Sequence, residues 1–346
     1  MKTELIKIDF ERPLSAQLTA AADIIKRGGL VVFPTETVYG LGASALDSEA
    51  AKKIYAAKGR PSDNPLIIHI SSPEEAEDYC YTSPEYYRLA EKFLPGPLTV
   101  IMPKKDVIPK TVTGGLDTVA VRCPKNEAAR ELIRLSGVPI AAPSANISGK
   151  PSPTSAAHVK DDLDGKVDMI IDGGECEIGL ESTIIKLDDG GATLLRPGAI
   201  TPEMLEEVLG NVKLDGGITK KNETDAAPLA PGMKYKHYAP RAQVYLLKGD
   251  ADKIAEFLAK KLAENESTGV LCFDELASKL NGKYIVPFGK KSDERAHAKR
   301  LFKALRYFDD TGVNIIYATS VGTEGIDLAT YNRMLKASGY TIIEVK

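Results

Sequence analysis

The chain has 346 residues, of which 43% are hydrophobic and 27% charged, a length and composition that favour two globular domains over one. The formal net charge of −3 at pH 7 argues against a protein that binds nucleic acid through its whole surface. Four scattered cysteines without a Cys-x-x-Cys pair argue against a zinc site and a disulfide framework, and the lack of a signal peptide or a membrane-length apolar run predicts a cytoplasmic protein without membrane contact.

The first predicted elements are a helix and a buried strand. The helix is indicated by apolar residues that recur at helical spacing, namely Leu14, Leu18, Ala21 and Ile25. The Gly28-Gly29 pair stops this helix. Leu30–Phe33 is a short apolar run rich in β-branched residues and predicts a strand.

A polar turn, a helix and a second strand follow directly. The turn is predicted at Pro34–Gly42, and Asp47 or Ser48 can cap a helix that ends at Lys58-Gly59-Arg60. An irregular loop then leads to the predicted strand Leu66–Ile70. Hydroxyls, cations, an amide and a histidine therefore gather at the ends of two strands and a helix. This pattern favours a site for an anionic ligand in an α/β protein.

Three later strands lead to further candidate residues. They are predicted at Leu98–Met102, Thr118–Cys123 and Ile140–Ala142. The last of them runs into the small polar loop Ser144–Gly149. Serine and asparagine in such a loop more often satisfy the backbone of a turn. Several hydroxyl-rich loops follow apolar strands here, however, and ligand sites in α/β sheets lie at strand ends.

The composition changes after a predicted hairpin and the helix Pro202–Leu209. Residues 213–228 lack core periodicity and read as a linker. The next segment, PGMKYKHYAP at 231–240, holds two tyrosines and a histidine between prolines. It predicts a lid over a bound nucleotide, with Tyr235 and then Tyr238 as contacts. The alternative, that the tyrosines only dock the linker on the first domain, stays open.

The last third of the chain alternates strand and helix patterns. Strands are predicted at Val244–Leu247, Val270–Phe273, Tyr284–Val286, Asn314–Ala318 and Thr341–Val345. Helical patterns connect most of them, which favours a small parallel, Rossmann-like sheet. The predicted organisation is a catalytic domain at 1–210, a linker or lid at 211–241, and a C-terminal α/β domain at 242–346.

No standard catalytic motif accounts for the polar residues. The chain has no Gly-x-x-x-x-Gly-Lys-Ser/Thr phosphate loop, no His-Glu-x-x-His and no Gly-x-Ser-x-Gly. What remains is a set of cations and hydroxyls that suits the positioning of phosphates without covalent catalysis. Any one of these residues alone is more often a solvated charge or a hydrogen-bonded structural group.

Together, these residues resemble a known family. FPTETVYGLG, then Lys58-x-Arg60, then Ser144-x-Asn146 are similar to the YrdC-like threonylcarbamoyl-AMP synthases. NPLIIHI, PGPLTVIM, AVRCP, GLESTII and LLRPGAI extend the resemblance over about the first 200 residues. The PGMKYKHYAP segment and the domain after it resemble the two-domain branch of the family.

The resemblance implies a fold, a reaction and partners. The fold is a twisted mixed α/β sheet with a concave basic cavity. The reaction converts L-threonine, bicarbonate and ATP into threonylcarbamoyl-AMP and pyrophosphate with Mg²⁺, which makes the enzyme a nucleotidyltransferase. A separate transferase then uses the product to make threonylcarbamoyladenosine in tRNA, and a weak contact with tRNA itself is conceivable.

The resemblance also implies roles for individual residues. The catalytic set is Lys58, Arg60, Ser144 and Asn146. ATP is expected to contact Lys58, Arg60, Asn64, Thr118, Ser144, Ser152, Arg196 and Tyr235. Threonine is expected to contact Thr37, His69, Arg122, Ala142 and Ser182, with Arg122 on the carboxylate. No protein residue is assigned to the metal, because Mg²⁺ bound by phosphates keeps its waters and needs few carboxylates. Glu36 and Glu181 are outer candidates, better explained by structural hydrogen bonds.

Two other functions stay open at this point. A concave basic face could grip double-stranded RNA by its shape and phosphates. A carbamoyl-transfer maturation factor of hydrogenases embeds a similar domain, but such proteins add an acylphosphatase-like module and paired-cysteine zinc motifs that this sequence lacks.

Overall fold

The computed structural model describes residues 2–188, 191–220, 228–231 and 237–346. These residues form two compact units. The first holds the described residues up to 148 together with 152–218 and 228–231. The second holds 149–151, 219–220 and 237–346. None of the described helices is long and apolar enough to cross a membrane.

The first unit contains a mixed sheet of eleven described strands. The strands are β1 (Glu4–Lys7), β2 (Val31–Phe33), β3 (Gly40–Ser44), β4 (Ile67–His69), β5 (Leu98–Pro103), β6 (Thr118–Arg122), β7 (Ile140–Ala142), β8 (Met169–Asp172), β9 (Thr183–Asp188), β10 (Gly191–Arg196) and β11 (Val212–Leu214). Their order in the sheet is β1-β8-β2-β3-β7-β4-β6-β5-β9-β10-β11. The predicted hairpin is present as the antiparallel pair β9–β10.

Seven α-helices are described in the first unit. They are α1 (Leu14–Lys26), α2 (Ser48–Lys58), α3 (Ala76–Tyr79), α4 (Pro84–Phe93), α5 (Glu127–Ser136), α6 (Ala156–Leu163) and α7 (Pro202–Leu209). Side-chain caps start four of them, namely α2, α5, α6 and α7. Asp47 caps α2 by accepting hydrogen bonds from the backbone amides of Glu49 and Ala50, and Gly59 ends the helix in the left-handed conformation. The cap therefore fixes where α2 ends, and with it the position of Lys58.

Strand β3 corrects the sequence prediction, which assigned Pro34–Gly42 to a turn. Residues Gly40–Ser44 form a fully buried strand between β2 and β7, antiparallel to both. A Cβ atom at Gly42 would lie 2.6 Å from the Ile140 side chain and 2.7 Å from the Phe33 ring. Glycine and alanine lower strand propensity, but they allow this close approach, so packing overrides the local signal.

The edge strands were also absent from the prediction. Short β1 is mostly exposed and has no hydrophobic alternation. Strand β11 pairs in parallel with β10, although the sequence assigned its residues to the start of the linker. Another part of that linker, at 228–231, is packed as well: Ala230 is fully buried against Ile67, Ala120 and other apolar side chains of the first sheet. Polar composition concealed both contacts.

The second unit is the predicted parallel sheet. Its strands are β12 (Gln243–Gly249), β13 (Thr268–Cys272), β14 (Tyr284–Pro287), β15 (Ile315–Thr319) and β16 (Ile342–Val345), in the order β14-β13-β15-β12-β16. All neighbouring pairs are parallel. The helices are α8 (Ala251–Glu264), α9 (Asp274–Ala277), α10 (Glu294–Thr311) and α11 (Asp327–Ala337).

A buried histidine–carboxylate pair lies between α10 and α11. The Nδ1 atom of His297 is 2.8 Å from Asp327 Oδ1, and its Nε2 atom is 2.8 Å from the Lys290 carbonyl oxygen. Burial of the ring lowers the pKa of His297, but the acceptors at both nitrogens outweigh burial and raise its pKa. Relative to the unfolded chain, these contacts therefore shift the balance of His297 toward its protonated form.

The first prediction concerns this pair. A histidine whose pKa in the folded state lies above its unfolded value of about 6.5 stabilises the fold fully at pH values below the unfolded pKa. This stabilisation is lost as the pH rises through the pKa of the folded state. The wild type should therefore have a higher free energy of unfolding than His297→Asn, and this difference should shrink from pH 6 to pH 9. Native-state hydrogen exchange of the α10 amides measures it. An advantage that does not change with pH would contradict the charged state.

Candidate functional site

Three loops of the first unit hold one another in place. The loop at 34–39 is linked to the loop at 143–154 by two backbone hydrogen bonds, Tyr39 N to the Pro153 oxygen at 3.0 Å and Ala145 N to the Tyr39 oxygen at 2.8 Å. It is linked to the loop at 176–182 by a bond from Gly179 N to the Thr37 oxygen at 3.1 Å. Most of the candidate residues lie on these loops or on the strands beside them.

The loop at 144–146 is fastened by a buried lysine. Lys58, only 1% exposed, donates from Nζ to the carbonyl oxygens of Ser144 and Asn146, both at 2.5 Å. Ser144 Oγ in turn donates to Asn146 Oδ1 at 2.6 Å. The structure thus brings together three of the four residues assigned to catalysis. A cation held directly beneath a loop provides a fixed positive charge with little reorganisation.

The fourth residue, Arg60, lies outside the helix, directly after Gly59, the residue that caps the C-terminal end of α2. Its guanidinium donates to the carbonyl oxygens of Asn64 and Pro65, the shorter distance being 3.1 Å. The Oδ1 atom of Asn64 is buried and has no hydrogen-bond partner. Because a buried polar atom without a partner costs about 1–3 kcal/mol, this orphan is a position at which a ligand donor would be favourable.

Thr118 and Arg122 stand at opposite ends of β6. Four residues separate them, a distance of about 13 Å along a strand. Arg122 pairs in register with His69 on β4, so the two side chains share one face of the sheet. Ala142 is opposite Ile67 on the neighbouring strand. The register therefore groups His69 with Arg122 and separates Thr118 from both, whereas Ala142 lies level with Ala120, about midway between the two ends of β6.

Arg122 forms a buried ion pair that the sequence did not reveal. Its Nη2 atom donates to Glu36 Oε1 at 2.7 Å, and the two side chains are 5% and 4% exposed. Only one hydrogen bond joins them, since Arg122 Nε and Glu36 Oε2 are both buried without a partner. The sequence offered a carboxylate at position 36 but no sign of which strand it would face, because the contact joins residues 86 positions apart.

His69 is neutral in this setting. Burial, and secondarily the charge of Arg122, lowers the pKa of His69 to about 3. Its Nδ1 atom lies 3.2 Å from the Ile67 oxygen and 3.3 Å from the Ile140 oxygen. Two carbonyl acceptors require the proton on Nδ1, so Nε2 carries the lone pair. His69 can therefore accept a hydrogen bond from a ligand without adding charge.

The remaining candidates form short hydrogen-bonded pairs. Arg196 donates from Nε to the Ser182 oxygen at 3.0 Å and from Nη2 to Ser182 Oγ at 3.1 Å. Thr99, which the sequence did not single out, is 2.7 Å from the same hydroxyl. Ser152 donates to Glu181 Oε1 at 2.5 Å, a bond in keeping with the structural role expected for this carboxylate. Both pairs are buried.

The last three candidates, Thr37, Tyr235 and Tyr238, have different outcomes. The Thr37 hydroxyl is fully buried, 2.8 Å from Thr35 Oγ1 in the loop at 34–39. Tyr235 and the core of the predicted lid at 232–236 lie outside the described residues. Tyr238 is described: it is buried in the second unit, stacked on Phe302 with ring centroids 5.1 Å apart. That contact favours a docking role for this ring.

Cysteine chemistry and a protein-bound metal cage find no support in the described residues. All four thiols are free and buried, and burial raises the pKa of each to about 12, so they stay protonated at neutral pH. The expectation of free thiols is confirmed. Within the described part of the chain, no group of three or more His, Cys, Asp or Glu side chains could hold a metal ion.

Comparison with known proteins gives matches over nearly the whole chain. Residues 23–198 match the Sua5–YciO–YrdC family model (telomere recombination), and residues 200–339 match the model for the C-terminal domain of threonylcarbamoyl-AMP synthase. The threonylcarbamoyl-AMP synthase of Pyrococcus abyssi is 50% identical over 97% of this chain and 98% of its own length. The corresponding enzyme of Bacillus subtilis is 45% identical over 99% and 100%.

Solved structures agree with these matches. The crystal structure of P. abyssi Sua5 complexed with L-threonine matches with a TM-score of 0.91 at 47% identity and covers all of both chains. The structure of Escherichia coli YciO matches 57% of this chain and 95% of its own with a TM-score of 0.50 at 26% identity. The predicted mixed α/β sheet and second, smaller α/β domain are confirmed, whereas the concave basic cavity stays a prediction.

The second prediction tests the buried ion pair. Glu36→Ala leaves the Arg122 charge buried without a partner and should destabilise the first unit by about 3–5 kcal/mol. Native-state hydrogen exchange of the β6 amides measures this loss. Glu131→Ala is the matched control, because it removes an exposed pair with Arg134 and should cost about 1 kcal/mol or less. Equal losses in the two variants would contradict a structural role for the Glu36 pair.

Proposed function

The chain belongs to the threonylcarbamoyl-AMP synthase family, and we propose that the loops around Arg122 and Lys58 bind L-threonine and ATP for its reaction. Relatives matched over nearly their full length are named threonylcarbamoyl-AMP synthases, and these matches support a synthase rather than the RNA-binding or hydrogenase-maturation alternative. In the proposed reaction, L-threonine, bicarbonate and ATP give threonylcarbamoyl-AMP, pyrophosphate and water. Transfer of the adenylyl group makes the enzyme a nucleotidyltransferase.

The assignment of the threonine half-site rests on the incomplete pairing of Arg122 and Glu36. An amino acid has a carboxylate and an amino group on one carbon. Arg122 Nε is a buried donor that lacks an acceptor, and Glu36 Oε2 is a buried acceptor that lacks a donor. A threonine carboxylate on the guanidinium and its amino group on the Glu36 carboxylate would satisfy both orphans at once. A relative's structure contains L-threonine, which is consistent with this arrangement.

His69 would add selectivity to this half-site. Its ring is neutral and shares a face of the sheet with Arg122, so Nε2 can accept a hydrogen bond from the threonine hydroxyl. A site built to pair with a hydroxyl discriminates strongly against an analogue that lacks it, because the acceptor is then left unpaired. Thr37, Ser182 and the Ala142 backbone would complete the pocket.

The phosphate half-site would lie over the loop fastened by Lys58. The cations Lys58, Arg60 and Arg196 supply fixed positive charge where pyrophosphate develops negative charge. Polar groups would come from Ser144, Ser152, Asn64 and Asn146. Thr118 begins β6, the parallel neighbour of β4, and β4 in turn follows Arg60 in the chain. Mg²⁺ would arrive with ATP and neutralise phosphate charge; with few carboxylates required, the residues present are compatible with it.

The proposed order of events begins with the threonine amino group held by Glu36. After losing its extra proton to solvent, this group attacks the bicarbonate carbon and forms a carbamate, while hydroxide leaves and takes up the nitrogen proton to give water. A carbamate oxygen then attacks the α-phosphorus of ATP, the bond to the β-phosphate breaks, and pyrophosphate leaves. The protein contributes position and charge rather than a covalent intermediate. The acyl-adenylate would then pass to a separate transferase that modifies tRNA.

The third prediction tests the reaction directly. Purified protein with ATP and Mg²⁺ should release pyrophosphate only when threonine and bicarbonate are both present. The measurement is a coupled pyrophosphate assay in which each substrate is omitted in turn. Equal release without threonine would overturn the proposed substrate set.

The fourth prediction separates the two half-sites. Arg122→Lys keeps the charge but loses the planar fork, and with it a charge-assisted hydrogen bond of about 1.5–3 kcal/mol. The KM for threonine should rise about 10- to 100-fold, while the KM for ATP changes little. Arg134→Lys, at an exposed arginine, should change neither constant. Equal increases in both constants for Arg122→Lys would place this residue on the phosphates.

A further inference from the structure

A cavity of about 330 Å³ lies in the second unit, away from every residue assigned above. It opens at the carboxyl ends of the parallel strands: Lys248 and Gly249 end β12, Phe273 follows β13, and Thr319 ends β15. Ligand sites in open α/β sheets lie at this edge. The volume is at the lower end of the range for small-molecule sites.

The strand order places this cavity at a topological switch point. Strand β13 is followed in the chain by β14, at one edge of the sheet, whereas β15 is followed by β16, at the opposite edge. Neighbouring strands β13 and β15 therefore send their connections in opposite directions. The crevice left between such connections is where nucleotides bind in open α/β folds.

The lining combines an apolar wall with cations. Phe273, Ile254 and Val321 contribute apolar and ring surface. Lys248, Lys279 and Lys291 contribute three cations against the single carboxylate of Glu275. Lys279 is paired with Asp252 at 3.3 Å, but within the described residues no ion pair involves Lys248 or Lys291. Two ammonium groups without a partner therefore flank an apolar wall, although the chain as a whole is acidic.

A buried hydroxyl in the lining is an independent sign of a ligand. Thr319 is 3% exposed, and its Oγ1 atom has no hydrogen-bond partner. An unpaired buried hydroxyl is costly, so native proteins rarely keep one without a function. Thr319 belongs to the lining, so a polar group of a ligand in the cavity would give this hydroxyl the partner that it lacks.

The loops that line the cavity are held from below. Asp327 Oδ2 accepts a hydrogen bond from Gly322 N at 3.3 Å, just after the strand end at Thr319. His297, paired with the same carboxylate, donates to the Lys290 oxygen at 2.8 Å, one residue before Lys291. One buried pair thus fixes both loops, as expected of a preorganised site.

We propose that this cavity binds a small organic phosphate with a ring-shaped body, the class to which nucleoside monophosphates belong. The phosphate would lie between Lys248 and Lys291, and the ring would pack on Phe273 and Ile254. All of these residues belong to the second unit, so the site is independent of the synthase reaction. It gives the C-terminal domain a ligand of its own.

The test counts AMP sites on the full-length chain by isothermal titration calorimetry. The wild type should bind two AMP molecules, one in the proposed ATP half-site and one in this cavity. Lys248→Ala/Lys291→Ala should lose one of them, with at least a tenfold fall in affinity, and Arg60→Ala should weaken the other. Lys260→Ala/Lys299→Ala removes the same charge from exposed positions outside the cavity and should keep both sites.

Methyl NMR of the wild type provides a measurement that needs no variant to fold. The Ile254 methyl signal should shift on addition of AMP and should shift far less with adenosine, which lacks the phosphate. An unchanged Ile254 signal, or AMP binding that is identical in the wild type and in Lys248→Ala/Lys291→Ala, would overturn the proposal. Failure of the synthase assignment would appear separately, as pyrophosphate release without threonine.

Discussion

The first unit depends on one buried ion pair. Glu36 lies on a loop between β2 and β3, and Arg122 lies at the end of β6, three strands away from β3 in the sheet. Their contact ties the loop at 34–39 across the sheet, and that loop in turn holds the loops at 143–154 and 176–182 by backbone hydrogen bonds. A buried pair joined by a single hydrogen bond is poorly compensated for its desolvation. Its retention is best explained by function, since both unpaired atoms suit an amino-acid substrate.

Lys58 shows how a charge can serve structure and chemistry together. Its ammonium is almost fully buried and donates to backbone carbonyls of the loop at 144–146. Without the lysine, those carbonyls would lose their partners and the loop its position. With the lysine in place, the loop at 144–146 lies directly against a fixed cation. The cap at Asp47 and the left-handed Gly59 set the two ends of α2, so local sequence rules position the charge that we propose for the phosphate half-site.

The sequence predicted regular elements well and contacts between distant residues poorly. Every element of the parallel second sheet except the short helix α9 has a clear signal, because alternating strand and helix periods are local properties. Strand β3 was missed because close packing against Phe33 and Ile140, rather than strand propensity, accounts for its glycines. The family motifs supplied the candidate site residues, which remain a prediction, but no local pattern could show that Arg122 faces Glu36 or that Thr99 pairs with Ser182.

The two units share a physical solution to the same problem. Loops at the ends of strands have no core of their own, so their shape must come from polar contacts beneath them. In the first unit, the Glu36–Arg122 pair performs this task; in the second, the His297–Asp327 pair holds the loops at Lys290 and Gly322. In the first unit the unpaired buried atoms belong to the ion pair itself; in the second, Thr319 Oγ1 is unpaired three residues before Gly322 in the chain. A loop held by a buried charge, in a unit where a buried polar atom has no partner, is not explained by stability alone. A bound ligand that pairs with this atom does explain the arrangement.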